Sequence, residues 1–486
     1  IRKTIGAGRA QLIAQFIYES VLFATISMVL AILASGLLLP SLNAFTEKEM
    51  VFDVLTNPLV AVTLVVLTLI IGILAGFYPA LILSGFQPVK VLKGSVVADA
   101  LPGRTPWLRH GLIVIQFSLS ILLIISAIVV IRQVSYMHGK DLGFRKEQIL
   151  FIPMRGENLQ KNYASFKNEL LRSPGVQSVS IGYGFPGDGF GDGMMTVKEK
   201  PALEPTKATQ LMVDEDYIKI LGLSLLAGRD FSKEIQSDES AYIINETAVK
   251  ELGLGTPPEA IGKTLSWPTW RKSDSLKTGP VIGVVKDFHY KSLHERVEPA
   301  VLHIYPQAYS KVAVKLSGDK IEAEVAGIKS LWNKFSPDYP IEYNFLDESF
   351  QKMYKAEDKL KTLLTFFTGI TIFVACLGLL GLAAYAAERR KKELGIRKVL
   401  GATVQELVVL LSKGFIKLVL ISLVVASPVA WYFMNKWLES FAYRIDITWW
   451  MFAVAAVLAV LLALLTVSFQ AVKAALSNPV QNLRAE

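Results

Sequence analysis

The sequence contains one cysteine, Cys376, and five histidines among 486 residues. A single cysteine excludes a disulfide framework, and the long polar segment from Gln133 to Ala356 has no cysteine at all. Charged residues are also scarce, at 19% of the chain, whereas hydrophobic residues make up 52%. This composition argues against an ordinary soluble protein. An initiator methionine is missing as well, because the chain begins at Ile1.

Six stretches carry almost no charge and are long enough to cross a bilayer. A helix needs about 20 apolar residues to span a hydrocarbon core of roughly 30 Å. The first stretch is too long for a cleaved signal peptide, and none contains a run of polar residues that would line a hydrophilic pore. In the fourth, Gly369, Gly378 and Gly381 predict close packing against a neighbouring helix. The predicted spans are Leu12–Pro40, Leu59–Leu83, Gly111–Ile131, Leu363–Ala387, Val408–Met434 and Trp450–Ala475.

Basic residues are concentrated on one side of these spans. They precede the first span, fill the connection between the second and third, and follow the fourth as Arg389, Arg390, Lys391 and Lys392. The positive-inside bias therefore predicts that these connections and both ends of the chain are cytoplasmic. The net charge of +9 then reflects topology. Nucleic-acid binding is disfavoured, because the cytoplasmic side has no folded basic domain.

A short basic motif occurs twice. The chain opens with IRKTIGA, and Ile396 begins IRKVLGA. Each copy enters an apolar span, passes through a polar loop and a second span, and ends in a Pro-Val-x-x-Leu-basic segment, at Pro88 and at Pro479. The shared order predicts an internal duplication, which is common in membrane transport folds. The second copy is preceded by a span, a long outer segment and another span that the first copy lacks, so we expect the chain to be truncated at its N-terminus.

Around the second copy of the motif, the chain leaves the preceding span with the sequence ERRKKELGIRKVLGATVQEL. We expect helix to continue through Leu394, with turns at Gly395 and Gly401, where a Cβ would be strained. Thr403 and Glu406 have the spacing of a capping box, which would begin the next helix. In the first copy, Gly8 and Gln11 hold the equivalent places. The pattern predicts a bent, basic elbow between two spans. A simple stop-transfer anchor would explain RRKK, although it would not explain the recurrence of the motif.

This elbow motif resembles the signature of the FtsX/MacB superfamily of ABC-transporter permeases. The segments YIINETAVKELG, GVVKDFHYKSLHE, FLDESF and FVACLGLLGLAAYAAERR resemble the large two-repeat permeases of Bacteroidetes-type bacteria. The resemblance covers essentially the whole chain. In such permeases each repeat has four spans, with an extracytoplasmic domain between the first and second. The elbow between the second and third spans docks on the ATPase subunit.

The resemblance therefore implies a fold class, a location and partners. We expect an α-helical integral membrane protein with an α+β extracytoplasmic domain, six transmembrane helices and an incomplete tandem repeat. It would lie in the bacterial inner membrane, with the large domain periplasmic, and would need no cofactor. Its partners would be the lipid bilayer, a separate ABC ATPase in two copies, and a periplasmic adaptor or outer-membrane component. The residues implied in ATPase coupling are Arg2, Lys3, Gly6, Ala7, Glu388, Glu393, Gly395, Arg397, Lys398, Gly401, Ala402, Thr403 and Glu406.

Four segments are expected along the chain. Residues 1–94 would be the C-terminal part of the first FtsX-like repeat, with two spans. Residues 95–132 would be a cytoplasmic linker and the first span of the second repeat. Residues 133–357 would form a MacB-like periplasmic core domain, and residues 358–486 the second FtsX-like domain, with three spans.

Hydrophobic patterning predicts two β-α-β units at the ends of the outer segment. The first combines strands Gln148–Ile152 and Val176–Ile181 with helix Tyr163–Leu171. The second combines strands Val312–Leu316 and Ile341–Phe345 with helix Ile321–Phe335. Together they predict a split βαβ sheet. Residues from about 186 to 306 would form a β-rich insertion, with its clearest strands at 241–244 and 281–285.

Catalytic or cofactor motifs are weak. Residues 182–187 fit G-x-G-x-x-G, but Pro186 predicts a loop where a dinucleotide site needs a helix. Gly262-Lys263-Thr264 lacks the first glycine of a P-loop and lies on the outer side. Asp287, His289, His294 and Glu295 have no established metal-ligand spacing, so we expect no metal site. Asn245 is expected to cap a helix.

The chain is therefore expected to function through conformational movement and not through catalysis. The leading hypothesis is an ABC permease of the mechanotransmission type, which couples ATP hydrolysis on a separate subunit to export or extraction of an unidentified substrate. The alternative is an FtsX-like signalling scaffold that regulates a periplasmic cell-wall hydrolase. A membrane-bound enzyme is set aside because no catalytic constellation is present.

Overall fold

The computed structural model describes residues 8–52, 57–85, 105–269, 276–318 and 320–476. The chain divides into two compact units, residues 1–116 and residues 117–486. Its α-helices are α1 (Arg9–Thr46), α2 (Pro58–Gly85), α3 (Thr105–Gly139), α4 (Glu157–Lys161), α5 (Tyr163–Arg172), α6 (Tyr217–Leu221), α7 (Glu246–Glu251), α8 (Pro257–Ala260), α9 (Ile321–Phe335), α10 (Leu346–Met353), α11 (Lys355–Arg389), α12 (Lys391–Val399), α13 (Val404–Leu438) and α14 (Trp449–Leu476).

Two groups of strands lie between α3 and α11. The strands are β1 (Ile149–Pro153), β2 (Val176–Gly182), β3 (Gly191–Val197), β4 (Thr206–Met212), β5 (Leu225–Gly228), β6 (Tyr242–Asn245), β7 (Thr264–Trp267), β8 (Lys277–Val285), β9 (Ala300–His303), β10 (Lys311–Leu316) and β11 (Asn344–Phe345).

Six helices within the described residues are long and apolar enough to cross a membrane. Their qualifying ranges are Arg9–Thr46, Pro58–Phe77, His110–Gly139, Lys355–Glu388, Val404–Leu438 and Trp449–Lys473. Each contains or closely overlaps one predicted span, so the prediction of six spans is confirmed. Several helices are longer than the apolar stretch that identified them, because helical structure continues into the polar flanks. The expected fold class, a helical membrane protein with an α+β domain, is confirmed as well.

The first unit is built on the pairing of α1 with α2. Gly72 and Gly76 have GxxxG spacing on α2 and face α1. A Cβ at Gly72 would lie 2.8 Å from the Cα of Val21, and one at Gly76 would lie 2.7 Å from the Oγ of Ser20. Small residues at this spacing allow close backbone approach between membrane helices. Larger side chains at either glycine would force the two helices apart.

In the second unit, α14 packs against α11 and α13, and the buried residues of α11 and α14 recur every four residues. The buried residues are Ala375, Leu379, Ala383 and Ala387 on α11, and Met451, Ala455, Ala459, Ala463, Val467 and Ala471 on α14. Among the described residues, a Cβ at Gly369 or Gly381 would meet no atom within 4 Å, so these two glycines make no close contact with another described helix. The buried residues, most of them alanine, are spaced to fall on one face of each helix.

The first sheet of the α+β domain has the strand order β11-β1-β10-β2, and all of its pairings are antiparallel. Strands β1 and β2 flank β10, so the two β-α-β units interleave as in a split βαβ sheet. Leu150 and Ile152 of β1 face the core under α5 and α9, while Ile149 and Phe151 face the opposite core. The sheet is therefore buried on both faces, which explains why β1 is apolar throughout.

The second sheet lies between β2 and β10 in the sequence and closes on itself. Its order is β5-β8-β6-β9-β4-β3-β7, and β7 also pairs with β8. The first part of β8 pairs with β7 and the last part with β5, so six strands form a closed barrel and β5 extends one side. Closure leaves no long free edge that could pair with another chain.

One core joins the α+β domain to the membrane helices. Met137 at the end of α3, Tyr354 beside the start of α11 and Phe441 in the loop between α13 and α14 are all buried in it. They pack with residues of both sheets, among them Phe151 and Leu302. The ends of three membrane helices are therefore anchored in the folded domain.

Candidate functional site

The elbow of the second repeat is a short helix set between two membrane helices. Helix α11 ends at Arg389, α12 runs from Lys391 to Val399, and α13 begins at Val404. Gly395 lies inside α12, so the predicted turn at Gly395 is wrong. Its neighbours Glu393, Leu394, Arg397 and Lys398 favour helix strongly enough to outweigh one glycine. The chain bends at Arg390 and again after Val399.

Gly401 ends α12 in a Schellman motif. The N–H of Ala402 donates to the carbonyl of Arg397 at 2.9 Å, and the N–H of Gly401 donates to that of Lys398 at 3.1 Å. This arrangement requires a left-handed residue after the helix. Gly401 supplies it with a φ of +97°. The turn predicted at Gly401 is therefore present, and glycine is needed there for its backbone conformation.

Thr403 begins the next helix with a complete capping box. Its Oγ1 accepts from the N–H of Glu406 at 3.3 Å, and Glu406 Oε2 accepts from the N–H of Thr403 at 2.9 Å. The capping box is thus confirmed. In the first copy, Gln11 Oε1 accepts from the N–H of Gly8 at 3.1 Å, so the equivalent positions also start a helix. The turn and the cap together fix the direction in which α13 leaves the elbow.

The elbow has a buried face and an exposed apolar face. Leu394 packs with Ala387, Leu407 and Ala471, so α12 rests on the ends of α11, α13 and α14. On the other face, Ile396, Val399 and Leu400 are exposed by 51%, 66% and 81%. These three residues are called the elbow face below. Beside it, Arg397 forms an ion pair with Glu393 at 2.9 Å.

The elbow face was missed in the sequence analysis, although a signal was present. Positions 396, 399 and 400 have the i, i+3, i+4 spacing of one helical face. That signal was hidden by the basic residues between them and by the expectation of a turn at Gly395. Of the other predicted coupling residues, Glu388 lies in the last turn of α11. Arg2, Lys3, Gly6 and Ala7 lie outside the described residues.

A second candidate site is a cleft of about 660 Å³ between the first sheet and the barrel. Lys167 of α5 lies on its wall and is almost fully buried. The Lys167 ammonium donates to Asp214 at 2.8 Å and to Asp216 at 2.6 Å, while the Ser180 hydroxyl donates to Asp214 at 2.5 Å. These residues come from both parts of the domain, and their long sequence separation hid the cluster from sequence analysis.

The electrostatics of this cleft favour a structural ion pair. Burial alone would lower the pKa of Lys167, but the carboxylates of Asp214 and Asp216 outweigh burial and raise it. Burial also raises the pKa of Asp230 to about 6, with a further contribution from the nearby carboxylates. Lys167 therefore stays charged, and it ties α5 to the turn after β4.

The motifs considered for cofactors serve local structure. Residues 183–190 after β2 form turns and loop, without a helix. Asp287 accepts from the N–H and hydroxyl of Thr247, and His294 contacts Glu357 on α11. Within the described part of the chain, no three His, Cys, Asp or Glu residues form a group that could hold a metal ion. Asn245 caps α7 by accepting from the N–H of Ala248 at 2.9 Å, as predicted.

Comparisons with known proteins find one family model and several solved domains that are similar to parts of the chain. Residues 1–88 and 365–479 match the family model described as FtsX-like permease C-terminal. No curated protein matches the chain. The periplasmic region of MacB from Actinobacillus actinomycetemcomitans is 17% identical, with a TM-score of 0.31, and covers 44% of this chain and 97% of its own.

Two further solved structures are similar. The extracellular domain of the noncanonic ABC-type transporter YknZ from Gram-positive bacteria is 20% identical, with a TM-score of 0.28, and covers 40% of this chain and 98% of its own. A domain of a putative permease protein from Porphyromonas gingivalis is 16% identical, with a TM-score of 0.28, and covers 44% and 98%.

The fold and the elbow define a multi-pass helical membrane protein whose helices carry an α+β domain. The two segments that match the FtsX-like permease model hold α1 and α2 in one case and most of α11 with α13 and α14 in the other. The resemblance to FtsX/MacB-like permeases, drawn from the elbow motif, is thus confirmed. One family model matches both segments, which agrees with the predicted duplication.

Proposed function

We propose that this chain is the permease subunit of an ABC transporter in which ATP hydrolysis on a separate subunit drives movement of the α+β domain. Helix α11 carries this proposal, because one uninterrupted helix runs from that domain to the elbow. It has 35 residues and is therefore about 50 Å long at about 1.5 Å per residue. A helix of this length spans the membrane and still extends beyond it on both sides.

Both ends of α11 are fixed to other structure. Tyr354, just before the helix, is 3% exposed, and its hydroxyl accepts from the N–H of Leu293 at 3.0 Å. At the other end, Ala387 packs with Leu394 of the elbow. A displacement of the elbow would therefore move α11 and, through Tyr354, the α+β domain.

A second connection, between α3 and the loop that joins α13 to α14, supports the same mechanism. The amide of Gln133 on α3 donates to the carbonyl of Tyr443 at 2.9 Å and accepts from the N–H of Ile445 at 2.9 Å. Tyr443 lies in the loop that joins α13 to α14, so three helix ends move with one loop. Movement along the helices would thus reach the domain through several contacts, and a continuous pore is not required.

The elbow face provides the surface for the ATPase in this proposal. Three exposed apolar side chains next to Arg397 form a patch that a protein partner can bury. By the positive-inside bias the elbow is cytoplasmic, where ATP is available, and the α+β domain is periplasmic. The chain would lie in the inner membrane and take one ATPase copy per elbow. The substrate, and any adaptor or outer-membrane partner, would be engaged by the α+β domain.

A pair of leucine variants tests the proposal. Leu400→Ser removes the most exposed side chain of the elbow face, and Leu226→Ser makes the same change on β5, where the side chain is 44% exposed. With full-length protein from native membranes, we expect Leu400→Ser to reduce co-purification of the ATPase and permease-stimulated ATP hydrolysis several-fold. Leu226→Ser should affect neither. Equal behaviour of both variants and the unchanged protein would contradict docking at the elbow face.

A further inference from the structure

Two lysines interrupt the apolar surface of α13. Lys413 and Lys417 are both exposed, and they lie one helical turn apart. On the same face, Val409 is 66% exposed and Val424 is 72% exposed. The buried residues of α13, such as Leu411, lie on the opposite face, where the helix contacts its neighbours. The two lysines therefore belong to the side of α13 that is turned toward lipid.

An aromatic group on α13 indicates how deep the two lysines lie. Trp431, Tyr432 and Phe433 are each more than half exposed, as is typical of residues at a membrane interface. At about 1.5 Å per residue, Lys417 lies about 21 Å and Lys413 about 27 Å from Trp431 along the helix axis. The hydrocarbon core is roughly 30 Å thick. The lysines therefore lie near the opposite boundary of that core, on the side of the elbow.

The direction of the helix turns both side chains toward the headgroups. In an α-helix each Cα–Cβ bond is tilted toward the N-terminus. The N-terminus of α13 follows Thr403, at the elbow. A lysine stem can lie along apolar surface while its ammonium reaches the polar layer. The ammonium groups of Lys413 and Lys417 are thus directed at the headgroups of the leaflet on the elbow side.

Neither lysine has a protein partner within the described residues, because no hydrogen bond or ion pair involves Lys413 or Lys417 there. Glu406, the acidic residue of α13 that is nearest in sequence, is about two turns from Lys413 and accepts from the N–H of Thr403. Two unopposed ammonium groups, with Cβ atoms about 5–6 Å apart, suit the oxygens of a phosphate. A zwitterionic headgroup would bring its own cation to these ammonium groups, whereas an anionic headgroup brings none.

We propose that Lys413 and Lys417 form a binding site for the phosphate of an anionic glycerophospholipid in the leaflet on the elbow side. The low dielectric at the edge of the hydrocarbon core strengthens this attraction compared with open water. The proposal requires that α13 spans the bilayer, and it does not depend on docking of an ATPase at the elbow face. Failure of one proposal would therefore leave the other standing.

Native mass spectrometry measures this binding directly. The full-length protein in detergent would be titrated with phosphatidylglycerol, whose headgroup carries a net negative charge, and separately with phosphatidylcholine, whose headgroup carries none. We expect the unchanged protein to retain phosphatidylglycerol several-fold more strongly than phosphatidylcholine. Equal retention of the two lipids would overturn the proposal.

Variants locate the site. Lys413→Gln combined with Lys417→Gln removes both charges and should lower the preference for phosphatidylglycerol several-fold. Lys413→Arg combined with Lys417→Arg keeps the charge and donors that suit phosphate, so it should keep the preference. Lys250→Gln removes an exposed lysine from α7 in the α+β domain and should change nothing. Each single glutamine variant gives the same comparison if the double variant does not insert.

Two results would count against the site. A preference for phosphatidylglycerol that survives the loss of both lysines would show that the anionic lipid binds elsewhere. Loss of another protein from preparations of the glutamine variants, with the lipid preference unchanged, would show that the lysines pair with acidic side chains of that protein. Either result would refute binding of an anionic lipid at Lys413 and Lys417.

Discussion

Gly401 shows how one residue can be required for its backbone alone. The space around it is open, since a Cβ would meet no atom within 4 Å, yet its φ is +97°. We expect Gly401→Val to strain the turn by about 1–3 kcal/mol and to misdirect α13, with membrane insertion unchanged. ATP hydrolysis stimulated by the permease should fall.

A matched control for this change is Gly414→Val. Gly414 also lies in open space, but on α13 and without a left-handed φ. The Gly414→Val protein should therefore stimulate ATP hydrolysis as the unchanged protein does. If a correctly inserted Gly401→Val protein stimulates ATP hydrolysis normally, the elbow acts only as a membrane anchor.

Lys277 makes a prediction about pH. Its ammonium lies inside the domain, where it donates to the carbonyl of Ile304 at 2.5 Å, and burial lowers its pKa from 10.5 to about 8. Between these two values the unfolded chain binds the proton more readily than the folded chain. The penalty of the buried charge is thus fully present below about pH 8 and disappears as pH rises toward 10.5.

Thermal unfolding of the unchanged protein and of Lys277→Met measures this effect. From about pH 7 to about pH 10, the unchanged protein should gain stability relative to the variant, by an amount on the order of 3 kcal/mol. The difference between the two proteins is the relevant quantity, because other lysines and tyrosines titrate in both. If that difference in stability stays constant with pH, the charged ammonium of Lys277 is not buried in the folded protein.

At the scale of single elements, the capping box of α13 can be tested by itself. Thr403→Ala removes the oxygen that accepts from Glu406 N–H, which should cost about 1 kcal/mol. Thr403→Ser keeps that oxygen. We expect faster amide exchange in the first turn of α13 and weaker ATPase coupling for the alanine variant, with the serine variant close to normal. Equal exchange in both variants would show that the cap does not hold the elbow.

Elements with a strong local pattern were predictable from the sequence. The structure has strands at Val176–Gly182 and Lys311–Leu316 and a helix at Ile321–Phe335, each within a residue or so of its predicted position. The short helix α12 was not foreseen as a single element, because Gly395 favours a turn when only its own propensity is considered. The helix-favouring neighbours of Gly395 and the packing of Leu394 against three helix ends together outweigh that preference.

Across the whole molecule, what could not be predicted depends on contacts between distant residues. Closure of the barrel requires β7 to pair with both β3 and β8, and that register has no local signature. The same holds for the Lys167 ion pairs and for the contact of His294 with Glu357. The elbow motif itself was visible because it recurs, whereas its exposed face became clear only once α12 was placed against its neighbours.

The orientation of the chain in the membrane is a prediction about the whole molecule. With Cys376 replaced, Ser237→Cys in the α+β domain should react with a membrane-impermeant thiol reagent in intact spheroplasts. Val399→Cys in the elbow should react only after the membrane is opened. The physical reason is the excess of lysine and arginine beside the elbow, which holds that side in the cytoplasm. The reverse pattern of labelling would invert the proposed topology.

Site-specific photo-cross-linking at Leu400 tests the central claim most directly. A photoreactive amino acid in place of Leu400, in the full-length protein in its native membrane, should form a covalent adduct with a separate subunit that carries an ATP-binding P-loop. The same amino acid in place of Leu226 should form no such adduct. If Leu400 cross-links only to lipid, or to no protein, the elbow face lies on the membrane and the proposed coupling of ATP hydrolysis through this elbow is wrong.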